Sequence, residues 1–194
     1  MRSYLNTLII AVNGVTISVI LTISGAYFFS LENASLKKTL TLLIIFTMFF
    51  SGELISFYLT VKNLGLMNNF PALILPTAIN TFNMIIMRTD FAWLPKSLEE
   101  SATIDGANDF IILFRIILPI ALLTVAAIIL YYGVGPWNSW FNAMIFLKDR
   151  ELFPIQLILR EILIQQTTQG ISSGAALSES PQIEKTIKYA TVTF

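Results

Sequence analysis

The chain has 194 residues, 55% of them hydrophobic and only 12% charged, with a mean hydropathy of +0.73. That much apolar surface cannot be hidden inside one soluble domain of this length, which places the chain among integral membrane proteins. The formal net charge is zero and there is neither histidine nor cysteine, which excludes bulk attraction to nucleic acid, disulfides, thiol chemistry and the usual zinc ligands.

Four apolar segments are long enough to cross a bilayer, at about residues 5–29, 39–60, 70–88 and 111–134. The first exceeds the roughly 7–15 apolar residues of a signal peptide and fits the roughly 20 that a spanning helix needs. Helices are expected, because an open strand would leave its backbone unpaired in lipid. Gly14, Ser24 and Gly25 are small residues suited to helix–helix contact. Pro76 and Pro119 are expected to kink their spans. The last residues, "IEKTIKYATVTF", read as a further span begun and cut short.

Alternation places the 30–38 and 89–110 loops on one side and the 61–69 loop and tail on the other. Lysine and arginine occur on both sides, so charge alone does not choose the orientation.

The segment "EESATIDGANDFIILFRIILP", residues 99–119, is the most polar part of this apolar chain. Ser97 followed by Glu100 reads as a capping box for a short helix from Leu98 to about Ile104. Asp105-Gly106 is a turn signal, and Asn108 or Asp109 can open the fourth span. The insertion thus reads as helix, turn, helix outside the bilayer, with Ala102 and Gly106 small enough for another protein to approach the backbone closely.

The spacing Glu100-Ser101-Ala102, three residues, Gly106, nine residues, Ile116-Ile117-Leu118-Pro119 resembles the Glu-Ala-Ala loop of the membrane subunits of bacterial ABC importers. Ser101 stands where alanine is usual. The stretches "NTLIIAVNGVTISVILTISGAYFFS", "FTMFFSGELISFYLTVKNLGLMNN" and "NTFNMIIMRTDF" are similar to carbohydrate-uptake permeases of the maltose-transporter type. "VGPWNSWFNAMIFLKDRELFPIQLILREIL" is similar to the oligosaccharide branch termed LplC-like.

The resemblance implies an all-α integral membrane protein of the type I ABC importer permease kind. Its helical bundle would show four full spans, a fifth begun, and a coupling helix in the cytoplasm. It implies one permease domain over 1–194 with a coupling loop at 95–119, in a bacterial cytoplasmic membrane. It also implies partners: two ABC ATPase subunits, a second permease, an extracellular or periplasmic sugar-binding protein, and membrane lipid. Glu100, Ser101, Ala102, Asp105, Gly106, Ile116, Leu118 and Pro119 are then the ATPase-coupling residues. Relative to the family, a span is missing ahead of Met1 and the last is truncated after Phe194, so the chain is expected to be incomplete.

Asn80 and Asn83 lie three apart, expected on one face of the third span. Buried amides need partners, which sugar hydroxyls or a neighbouring helix would supply. Glu53, near the outer end of the second span, is a further pathway residue or a snorkelling carboxylate. Trp137, Trp140 and Phe141 suit an interfacial belt or sugar stacking. The "LFPIQLILREILIQQ" segment is expected to form an amphipathic outer-surface helix through Leu157, Leu159 and Ile162.

No P-loop is present, and no catalytic residue, metal or cofactor is expected. The alternatives are a truncated or degenerate permease without transport activity, and a membrane-embedded enzyme. Against the enzyme, no carboxylate pair, histidine or cysteine converges at one membrane depth.

Overall fold

The computed structural model describes residues 2–31, 37–49 and 54–173. All regular structure among them is helical. Helix α1 (Arg2–Ser30) is about 43 Å long at 1.5 Å per residue, enough to cross roughly 30 Å of hydrocarbon. Its faces are inverted relative to a soluble helix. Leu5, Ile9, Val12, Ile20 and Leu21 point outward, whereas Thr7, Gly14, Ser18, Thr22 and Ala26 are buried. Small and polar residues inside with aliphatics outside is the pattern of a helix solvated by lipid.

Against that buried stripe pack α5 (Thr81–Trp93) and α9 (Leu122–Asn138). A β-carbon on Gly25 would lie 3.1 Å from Met84 Sδ, so this glycine permits the close approach of α1 and α5. Gly14 faces Ile74 at ordinary contact distance. Ser24 is exposed and donates to the Ile20 carbonyl at 2.8 Å, so it is not the helix-contact residue its size suggested.

The second expected span is seen as α2 (Lys37–Phe49) and α3 (Leu54–Asn63). Between them, Glu53 lies outside the described residues, as does the expected span at the chain end. The third is not one helix. It divides into α4 (Pro71–Ile74), a 3-10 turn (Leu75–Thr77) and, after an extended Asn80, α5. Pro76, with no N–H to donate, sits in the turn where the helix gives way.

After α6 (Lys96–Ile104) and α7 (Asp109–Ile112), the chain widens into a π turn (Leu113–Ile117) and runs through α8 (Leu118–Ile120) before bending 87° into α9. A wide turn followed by a bend accommodates the ring of Pro119 and its missing donor. Then come α10 (Phe141–Phe146), a 3-10 turn (Arg150–Leu152) and α11 (Ile155–Ser173). Among the described residues, only α1 is by itself long and apolar enough to span. The α2/α3 and α7-to-α9 pairs qualify when each is taken as one broken span.

The 147–155 stretch is tied down from two directions. Asn68, with φ +61°, uses its side-chain oxygen to accept the Lys148 and Asp149 backbone N–H groups at 2.9 and 3.0 Å, while its amide donates to the Asp149 carboxylate at 2.8 Å. From α1, Asn6 donates to the Glu151 carbonyl at 2.6 Å, and Thr7 Oγ1 accepts the Ile155 N–H at 2.9 Å. Leu157 is buried beside Ala143 and Leu147, but Ile162 is exposed. The expected apolar face of α11 is therefore not buried as a whole.

Candidate functional sites: a capped surface helix and a polar cavity

Helix α6 is opened by Pro95, whose fixed φ of −60° leads directly into the helix, and no side chain caps it. The capping box expected of Ser97 and Glu100 is therefore not formed. The helix begins at Lys96, which carries both residues past the cap position. Its other end is closed by a Schellman motif: Ala107 N donates to Ala102 O at 2.9 Å and Gly106 N to Thr103 O at 3.0 Å, with Gly106 at φ +82°. A β-carbon on Gly106 would meet nothing within 4 Å. Backbone conformation, then, is what requires glycine within this chain. Asn108 next caps α7, its side-chain oxygen accepting from Ile111 N at 2.9 Å, as the sequence suggested.

The expected coupling residues separate into two groups. Glu100, Ser101, Asp105 and Gly106 are exposed. Ala102 is only 8% exposed and belongs to the main core with Tyr27, Phe91 and Ile112. Its small side chain seats α6 on its own bundle, rather than lying open to an incoming protein. Ile116 and Leu118 pack against the same core, and Pro119 is exposed at the bend. Around α6, Trp93, Ile104 and Phe110 are 84%, 86% and 73% exposed. An apolar rim thus surrounds an acidic knob.

Further along α1, a cavity of about 300 Å³ opens between α1, α4, α5, α9 and α10. Asn80 and Asn83 both line it, though not as two residues of one helical face. Asn80 is the N-cap of α5, and its side-chain oxygen accepts from Asn83 N at 3.2 Å. Thr7, Ser18, Thr77 and Asn142 add further polar groups to the wall. The Tyr132 hydroxyl lies at this wall, 2.7 Å from Thr22 Oγ1, and accepts the Asn80 N–H at 3.0 Å. Tyr131 and Tyr132 did not stand out in the sequence, where they sit at the end of an apolar run. A paired tyrosine in a membrane helix was the available signal, since each hydroxyl needs a partner there.

The aromatics beyond α9 are engaged locally. Arg160 lies 3.0 Å over the Trp140 ring, Trp140 meets Phe141 edge-on, and Trp137 meets Tyr4 at 6.4 Å. The covered face of Trp140 is not open to a sugar ring.

The chain matches no family model. It is 42% identical over 191 residues to the polygalacturonan/rhamnogalacturonan transport system permease protein YtcP of Bacillus subtilis (strain 168), covering 98% of this chain and 67% of that protein. The chain belongs to the sugar ABC transporter permeases. A second member, protein LplC of the same organism, is 37% identical, with 99% of this permease and 65% of LplC covered. A crystal structure of a bacterial ABC transporter involved in import of the acidic polysaccharide alginate matches the permease with a TM-score of 0.85 and 34% identity, over 96% of this chain and 66% of that one. The permease chain thus spans about two thirds of the length of its relatives. These relatives are transport permeases rather than enzymes.

Proposed function

We propose that this chain is a membrane subunit of a bacterial ABC importer that passes an oligosaccharide through the polar cavity and is driven by separate ATPase subunits docked on α6. The observation that carries this reading is the Glu-Ser-Ala…Gly…Ile-x-Leu-Pro spacing, whose first part is realised as the exposed helix α6. Its acids are exposed, its far end is locked by Gly106, and its base is seated by Ala102. Force on this knob reaches the bundle through Ala102, which is seated in the core with Tyr27 and Ile112.

The cavity and the knob share α1. The cavity is lined by Thr7 through Ser18, and the core beneath α6 contains Ile23, Ala26 and Tyr27. A displacement of α6 is thereby passed to the cavity wall. In this arrangement α6 faces the cytoplasm, and α1 and the broken helices act as spans of one permease domain. A second permease subunit, two ATPases and a sugar-binding protein complete the assembly. Asn80 and Asn83 lie on the pathway.

The test is reconstitution of this permease with its ATPase subunits, partner permease and binding protein in proteoliposomes. ATP-dependent oligosaccharide uptake is expected, and it should be lost on replacing the exposed pair Glu100 and Asp105 by lysine while subunit insertion persists. Uptake that survives the charge reversal at full rate would remove α6 from the coupling role.

A further inference from the structure

Asn83 is 6% exposed, lines the cavity, and gives its backbone N–H to Asn80. Its side-chain amide has no hydrogen-bond partner among the described residues. An amide that faces such a cavity can exchange the water there for the polar groups of a ligand. An amide offers two donors and an acceptor. A sugar hydroxyl, itself both donor and acceptor, uses both functions, whereas a carboxylate uses only the donors.

The surrounding wall has the same character. Ser18, Thr77, Ser139 and Asn142 are uncharged groups that donate and accept, and no Asp, Glu, Lys or Arg lines the cavity among the described residues. The nearby start of α5 adds a partial positive charge of about half an electron. That is too little to offset the loss of hydration of a full carboxylate, which needs a paired cation to enter such a place.

Resting on the sugar-passage reading above, we infer that the cavity wall supplied by this chain takes the hydroxyls of an uncharged sugar unit, with Asn83 as the specificity-determining residue, and does not accommodate a uronate. This sets the chain apart from the acidic polymers in the names of YtcP and of the alginate importer.

The complete importer in proteoliposomes is offered a neutral probe, arabinotriose, or an acidic one, trigalacturonate. The wild type is expected to carry arabinotriose and to carry trigalacturonate far more slowly. Asn83→Leu is expected to lower arabinotriose uptake about tenfold with unchanged subunit assembly. Asn83→Gln keeps both the donors and the acceptor of the amide, and should stay within about threefold of wild type. Trigalacturonate carried as fast as arabinotriose by the wild type overturns the inference and leaves the sugar-importer reading standing. Full arabinotriose uptake by Asn83→Leu removes the role assigned to Asn83. A wild-type importer that carries neither probe fails the sugar-importer reading itself, and the inference falls with it.

Discussion

The Tyr132 hydroxyl accepts the backbone N–H of Asn80 at 3.0 Å, across 52 residues of sequence. The donor is exposed by the break ahead of α5, where the preceding turn of helix has ended and cannot supply an acceptor. The same hydroxyl pairs with Thr22 on α1. One phenolic oxygen therefore joins α1, α9 and the broken helix at the cavity wall. Deleting it leaves a part-buried N–H and a buried threonine hydroxyl without their partner.

Tyr132→Phe is expected to destabilise the protein by about 1–3 kcal/mol, the cost of leaving such groups unsatisfied. Thermal unfolding in detergent measures this. Uptake should fall along with stability, because the loosened element is the one that carries Asn80 and Asn83. An unchanged unfolding midpoint would show that water replaces the phenol at no cost.

Gly106 separates backbone strain from surface contact. Gly106→Ala adds a side chain into open space but forces a left-handed residue, at about 1–2 kcal/mol. Gly106→Asn tolerates that conformation better. Co-purification of the ATPase should therefore decrease in the order glycine, asparagine, alanine. Equal recovery from all three would mean that the Schellman turn is irrelevant to docking.

Ala102 is a packing position. Ala102→Leu should overfill the core beneath α6 and destabilise by about 1–3 kcal/mol, whereas Ser101→Leu, on the exposed side, should leave stability unchanged. Both changes weaken ATPase binding if the helix must sit at its present height. Protection of the α6 amides in hydrogen exchange distinguishes them, decreasing only in the Ala102 variant.

Asn68 holds the 147–149 turn with three side-chain hydrogen bonds. These are exposed, so their net worth is modest, and Asn68→Gly, which keeps the positive φ, should cost about 0.5–1.5 kcal/mol. Hydrogen exchange at the Lys148 and Asp149 amides should accelerate. Unaltered exchange there would show that the turn is set by its own chain and not by Asn68.

The polar insertion shows how far local reading reaches. The existence of α6, its end at Asp105-Gly106 and the Asn108 cap were all legible, because each depends on neighbours within a few residues. The start of the helix was misjudged for a local reason of another kind. Pro95 supplies a ready-made φ, so the helix begins before Ser97 can act as its cap.

Composition by itself determined that this chain belongs in a membrane and, with the spacing from Glu100 to Pro119, which transporter family it resembles. Apolar content and fixed offsets are properties of the string. Only the tertiary structure decided that Ala102 turns inward, that Asn80 ends a broken helix instead of sharing a face with Asn83, and that Tyr132 completes the cavity wall. These outcomes depend on which polar group finds a partner across tens of residues. In an apolar surrounding, where an unmet donor is costly, that pairing is settled by how the helices pack and leaves no mark in the local pattern.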